Sequence, residues 1–138
     1  MKILIVEDDF IACRLLTAFL APYGEFDYAY DGEEAVRAFR LALEEKEPYQ
    51  LICMDIVMPV MDGMEALKRI RCLEKEAGLT EEQLAKVVMV TAIDTPRIMV
   101  NAFCKLDAIA YLVKPVTEEK LIEAIRGFGL IDMEEAAI

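Results

Sequence analysis

Short apolar runs alternate along this chain with longer stretches in which apolar residues recur every three or four positions. Ile3-Leu4-Ile5-Val6, Leu51-Ile52-Cys53-Met54, Val87-Val88-Met89-Val90 and Ile109-Ala110-Tyr111-Leu112-Val113 are almost wholly apolar. Strands covered on both faces read this way, as in a parallel sheet packed between helices. Phe26-Asp27-Tyr28-Ala29-Tyr30 alternates instead and suits an edge strand. Between these runs, Ile11, Leu15, Leu16 and Phe19 fall at helical spacing, as do Ala35, Val36, Phe39 and Leu43. Three further sets follow: Ala66, Leu67, Ile70 and Leu73; Met99, Ala102 and Phe103; and Leu121, Ala124 and Ile125. The order is strand, helix, five times over. It predicts an α/β fold with a parallel sheet and right-handed crossovers.

The helix starts carry chemical marks. Asp31 with Glu34 three residues on reads as a capping box. Asp9 and Asp62 are placed to cap the first and third helices, with Asp62-Gly63 forming the turn into the latter. Thr95 followed by Pro96 is an N-cap and a proline at the first helical position, and Thr117 caps the last helix. Thr80 and Gln83 suggest a further helical turn in the stretch 77–84. Met58, Met61 and Met64 surround the loop after the third strand and are candidates for exposure. No repeat, low-complexity tract or interdomain linker interrupts the alternation.

Composition narrows the class. The 138 residues fit one domain, and 15 basic against 26 acidic residues give a net charge of −11, with no histidine. So acidic a surface repels nucleic acid, because phosphate contacts need clustered Lys and Arg. The four cysteines (Cys13, Cys53, Cys72, Cys104) form no Cys-x-x-Cys pair. Three lie in apolar periodic stretches, where a thiol serves as a small buried hydrophobe. That argues against a cysteine metal site and for a reducing, cytoplasmic setting. The chain opens with only four apolar residues before Glu7 and holds no long apolar run, so neither a signal peptide nor a membrane span is expected.

The candidate chemistry sits where the strands end. Glu7-Asp8-Asp9, Asp55, Thr91-Ala92 and Lys114-Pro115 each follow an apolar run, and a parallel sheet brings all four to one edge. Carboxylates packed together repel one another, and a bare carboxylate after a buried strand is costly unless paired or metal-bound. A hard divalent cation held by oxygen ligands explains the cluster. It would also neutralise an anionic phosphoryl donor approaching Asp55.

In order and spacing, Val6-Glu7-Asp8, Asp55 with Met58-Pro59, Asp62-Gly63, Thr91-Ala92 and Tyr111-Leu112-Val113-Lys114-Pro115 resemble the receiver domain of two-component response regulators. The likeness is to a stand-alone, chemotaxis-regulator-like receiver over residues 1–127, with 128–138 as a C-terminal tail. It implies a (βα)5 flavodoxin-like, doubly wound sheet of strand order 2-1-3-4-5, with its crevice at the carboxyl strand ends. It also implies that Asp55 accepts a phosphoryl group from a histidine kinase or histidine phosphotransfer protein. Asp8 and Asp55 would ligate Mg²⁺ (or Mn²⁺), with Glu7 acting through water and Val57 through its backbone carbonyl. Lys114 would reach the phosphoryl oxygens, across a cis bond to Pro115, while Thr91 and Tyr111 would switch with the modified aspartate. The expected role is a phosphoacceptor switch, not an enzyme, that assists its own phosphorylation and dephosphorylation. Its output, to a downstream protein or to a second copy in a homodimer, would be the face made by the fourth helix, fifth strand and fifth helix.

Two further expectations follow from the resemblance. Val57 and Ile93 flank the phosphoryl group and carry nothing to orient a hydrolytic water, which implies a long-lived phosphorylated form. The stretch 77–84 lengthens the chain between Asp55 and Thr91 on the side away from the site, and Lys105-Leu106-Asp107 replaces a small-residue turn. Rival chemistries fit less well. An aspartyl phosphatase wants a second carboxylate where Val57 stands, a flavin carrier wants an uncharged phosphate loop where Glu7-Asp8-Asp9 stands, and no P-loop motif is present. The remaining alternatives are a phosphorylation-independent interaction module on the same fold and a receiver fragment of a longer multidomain regulator.

Overall fold

A computed structural model describes residues 1–92 and 109–131. Five strands, β1 (Lys2–Val6), β2 (Glu25–Ala29), β3 (Leu51–Met54), β4 (Lys86–Thr91) and β5 (Ile109–Val113), form one sheet in the order β2-β1-β3-β4-β5. Every pairing is parallel. The described helices are α1 (Phe10–Leu20), α2 (Gly32–Glu44), α3 (Gly63–Glu76) and α4 (Glu118–Gly127). The helix predicted around Met99, Ala102 and Phe103, with its cap Thr95-Pro96, lies outside the described residues.

Alternation along the strands builds a core on each face of the sheet, which is what a doubly wound topology requires. Leu4, Val6, Ile52, Met54, Val87 and Met89 point to one side, against Ala35, Phe39, Leu67 and Ile70 of α2 and α3. Ile3, Ile5, Leu51, Cys53, Val88 and Val90 point to the other, against Leu16 and Leu20 of α1 and Leu121 and Ile125 of α4. Leu130 and Ile131 pack on this second core, so the chain remains part of the body to at least Ile131. The two edge strands are less covered: of β2 only Ala29 is buried and Tyr28 is exposed beside Asp27, and most of β5 is half-buried.

The expected caps within the described residues form. Asp9 accepts from the Ile11 amide at 2.9 Å, Asp31 from Glu34 and Asp62 from Glu65 at 2.8 Å each, and Thr117 from Lys120 at 3.2 Å. The stretch after α3 makes a single 3₁₀ turn at Glu81–Gln83, with the Gln83 side chain accepting from the Thr80 amide at 2.8 Å. It leads into the amino end of β4, away from the candidate site.

Three details differ from the sequence reading. In α1 the buried stripe is Cys13, Leu16 and Leu20, while Ile11 and Leu15 are 70% and 50% exposed. Met58 is buried, and Met61 and Met64 pack partly against the first core instead of standing free. Of the cysteines, Cys13 and Cys53 are buried, with burial pushing the Cys53 thiol up to about 12, but Cys72 is exposed; Cys104 lies outside the described residues.

Candidate phosphoryl and metal site

The parallel register brings the ends of β1, β3 and β5 together, and with them three carboxylates and an ammonium. Val6 pairs with Met54 across β1 and β3, so Glu7 and Asp55 leave adjacent strands side by side. Both are buried, at 1% and 7% exposure, while Asp8 turns out to solvent. Carboxylate oxygens of Glu7, Asp8 and Asp55 all lie within 4.8 Å of one another.

One cation serves two of these acids. Lys114 Nζ stands 3.0 Å from Asp55 Oδ2 and 3.0 Å from Glu7 Oε2. The contact with Asp55 is a well-formed hydrogen bond. Glu7 Oε2 has the ammonium beside it but accepts no well-directed hydrogen bond. Backbone amides fix the other oxygens: Asp9 N–H donates to Glu7 Oε1 and Val57 N–H to Asp55 Oδ1, each at 3.1 Å.

The electrostatics follow from this crowding. Burial is the main influence on Glu7 and raises its carboxyl above the usual range; Asp55 adds to the rise, and Lys114 and the Asp9 amide offset only part of it. Burial alone would lower Lys114, but its contacts with Asp55 and Glu7 outweigh that, and its ammonium is held above its ordinary value. Three carboxylates against one ammonium leave two negative charges. The donors are all hard oxygens, two of them buried, and one buried oxygen lacks a directed partner. Such a set fits a small divalent cation of the Mg²⁺ class.

The other sequence-derived residues are placed as follows. Val57 sits in the loop after β3 with its side chain 57% exposed and its backbone against Asp55. Thr91 closes β4 opposite Val113; its side chain, like Ile93, lies outside what is described. Tyr111 pairs with Met89 and packs partly buried against the first core. The Lys114-Pro115 bond is cis. Asp9 caps α1 and is no member of the acidic cluster.

Sequence reasoning missed two features. Glu74, which nothing in the sequence pattern singles out, is fully buried in α3. Gly63 reads as a turn residue and Gly32 carries no reading of its own, but each is a point of close backbone approach. A Cβ at Gly63 would strike the Asp55 carbonyl oxygen and come within 2.9 Å of the Ile56 Cα.

The chain belongs to the response regulator receiver domain family, whose profile matches residues 3–126. It is 34% identical over 130 residues to the two-component response regulator ORR41 of Oryza sativa subsp. japonica, covering 94% of this chain and 95% of that protein. It is 33% identical to the peroxide stress-activated histidine kinase mak2 of Schizosaccharomyces pombe, covering 94% of this chain but 5% of the kinase. With the Bacillus subtilis regulatory protein YclJ the identity is 31%, over 91% of this chain and 49% of that one. The chain thus spans about half or much less of the length of these last two relatives.

Solved receivers share the fold. The Mg²⁺ complex of the receiver domain of the histidine kinase CKI1 from Arabidopsis thaliana superposes with a TM-score of 0.78 at 28% identity, covering 92% of this chain and 90% of that one. A chain of the CheX-CheY-BeF₃-Mg²⁺ complex from Borrelia burgdorferi gives 0.78 at 25% identity, covering 94% and 89%. Among the described residues, no helix is long and apolar enough to cross a membrane.

Proposed function

We propose that this domain is a phosphorylation switch in which Asp55 takes a phosphoryl group from a phosphohistidine of a histidine kinase or phosphotransfer protein. The observation that carries the reading is the convergence of buried Asp55 with Glu7, Asp8 and Lys114 at the carboxyl edge of the sheet. A carboxylate oxygen of Asp55 attacks phosphorus; the P–N bond to imidazole breaks as the P–O bond forms, and imidazole leaves with the electron pair. Val57 N–H, at 3.1 Å, holds the carboxylate in one orientation. Lys114, 3.0 Å from Asp55, supplies a point charge for the incoming phosphoryl oxygens.

Asp8, Asp55 and the Val57 carbonyl would hold Mg²⁺, or Mn²⁺ in its place, with Glu7 acting through water. The ion when bound neutralises the phosphoryl charge that these acids would otherwise repel. The relatives solved with Mg²⁺ support this. The domain turns over no substrate: it assists its own phosphorylation and dephosphorylation, and the added charge is the signal. Lys114 follows β5 directly, so redirecting its ammonium from Glu7 toward a phosphoryl group acts on β5 and the start of α4. β5 and α4 belong to the proposed output face toward a downstream protein or a second copy, whose third part, the helix predicted around Met99, Ala102 and Phe103, lies outside the described residues; Thr91 and Tyr111 are the proposed switch residues.

The test is intact mass after incubation with acetyl phosphate or a phosphorylated histidine phosphotransfer protein. Gain of one phosphoryl group, dependent on Mg²⁺ and lost in Asp55→Asn, is expected. Gain that persists in Asp55→Asn, or no gain by folded protein from either donor, overturns the reading.

A further inference from the structure

The loop between β3 and α3 is tied down from outside the acidic pocket. The Gly32 N–H, in the first turn of α2, donates to the Met61 carbonyl at 3.0 Å. A Cβ on Gly32 would collide with that same carbonyl oxygen and lie 3.0 Å from the Asp62 oxygen. Gly32 is buried and is not among the residues with left-handed backbone, so close approach, not conformation, is what calls for glycine here. The far end of the loop is tied by Gly63 N–H to the Ile56 carbonyl at 2.8 Å.

Between these ties the loop is strained. Val60 has φ of 68°, a region that β-branched side chains rarely enter, and its side chain is 76% exposed. Met61 N–H donates to the Pro59 carbonyl at 2.7 Å, closing a three-residue turn around Val60. No burial of Val60 explains the conformation; the ties on either side of it do. The same loop carries Val57, whose N–H orients Asp55.

We propose that Gly32 is a positioning residue for the phosphoacceptor: its bare Cα and N–H, seated on the Met61 carbonyl, hold the 56–62 loop in the shape that presents the Val57 backbone to Asp55. The proposal rests on Asp55 being the acceptor. A purely helical role for Gly32 predicts the opposite sign. Alanine outranks glycine in a helix and narrows the unfolded ensemble, so G32A would raise Tm and leave the loop alone. A positioning role predicts that G32A frees the loop.

The experiment compares wild type, G32A, V60G, G32A/V60G and Y49F. Tyr49 donates to Asp27 at 2.7 Å just before β3, at the opposite end of the sheet, so Y49F is a destabilised control. Amide exchange of peptides spanning 56–63 is read in metal-free protein, and the rate of phosphorylation by acetyl phosphate is read at saturating Mg²⁺. G32A is expected to speed loop exchange about tenfold or more and to slow phosphorylation roughly 10- to 100-fold, the cost of displacing an oriented group by about 1 Å. V60G in the G32A background, by letting the loop re-form around the added methyl group, is expected to restore part of the rate. Y49F should change neither readout.

Loop exchange and phosphorylation in G32A within twofold of wild type would overturn the proposal, as would the same losses in Y49F. If G32A fails to fold alone, the readings are taken in G32A/V60G; failure of both assigns Gly32 to folding and also overturns it. If wild type takes no phosphoryl group, the phosphoacceptor reading fails, and the exchange data still decide whether Gly32 ties the loop.

Discussion

Two glutamates among the described residues are buried, and on opposite terms. Glu74, in α3, is closed: Oε1 accepts from Arg71 at 2.8 Å and Oε2 from the Ala85 amide at 2.7 Å, while Arg71 also donates to the Ala85 carbonyl at 2.9 Å. One anion meets one cation, both carboxylate oxygens are used, and the start of β4 is pinned to α3. Glu7, at the end of β1, is open: it shares a single lysine with Asp55 and keeps one oxygen without a directed bond. A buried charge is tolerated when paired and hydrogen-bonded. Glu74 meets that condition in full; Glu7 meets it in part, with one ammonium divided between two acids. Burial of an acid therefore says little by itself, and the completeness of its neutralisation separates structure from site.

Four substitutions and conditions would break or sharpen this contrast. The largest effect belongs to Glu74→Ala, which removes the carboxylate that both Arg71 and the Ala85 amide donate to. It should cost about 3 kcal/mol or more of stability, by denaturant titration, with phosphorylation of Asp55 unchanged once the protein is folded. Lys114→Met comes next: with Glu7 and Asp55 left facing each other, metal-free stability should fall by about 2–3 kcal/mol and phosphorylation with it. Mg²⁺ should recover part of the lost stability, since it supplies the missing charge; no recovery would argue against a cation site.

Glu7→Gln should do the reverse of Glu74→Ala. Burial raises the Glu7 carboxyl, so the folded state holds its proton to higher pH than the unfolded chain does. Where the native state binds more protons, stability falls as pH rises. The difference between wild type and Glu7→Gln in metal-free protein should therefore grow as pH climbs from about 4.5, the ordinary value, through the raised one. The variant should be the more stable of the two at pH 7, and thermal melts across that window check it. The smallest effect is kinetic. Val57 presents an exposed apolar side chain beside Asp55. Val57→Asn, by offering a polar group to a hydrolytic water, should shorten the life of the phosphorylated form a few-fold, followed by loss of the added mass after donor removal. An unchanged lifetime would show that Val57 does not govern access of water.

Much of this was legible in the residues. Uninterrupted apolar runs mark strands buried on both faces, and Asp31, Asp62 and Thr117 mark helix starts. The strand-end acids and Lys114 come together because parallel strands share a carboxyl edge. What escaped the sequence has physical causes. Helical spacing locates a stripe but not which way it turns, so Ile11 and Leu15 face out where Cys13 and Leu20 face in. Glu74 is invisible because its neutralising partners come from the start of β4 as well as from its own helix. Adjacent Glu7 and Asp8 read alike, yet one is buried and the other exposed as the chain leaves the strand. Gly32 passes unremarked because its close approach to Met61 depends on a loop about thirty residues away.

If Glu7, Asp8 and Asp55 form a divalent-cation site and Glu74 does not, the two should separate under added Mg²⁺. The most direct measurement is the thermal midpoint at pH 7 as Mg²⁺ is added, in wild type, Asp8→Asn, Asp55→Asn and Glu74→Gln. A cation that binds only the native state at ten times its dissociation constant adds about 1.4 kcal/mol, or roughly 4 °C for a domain of this size. That rise is predicted for wild type and for Glu74→Gln from its own lower starting point, and it should be lost in Asp8→Asn and Asp55→Asn. A flat midpoint in wild type, or an equal rise in all four proteins, would rule out a cation site at these acids.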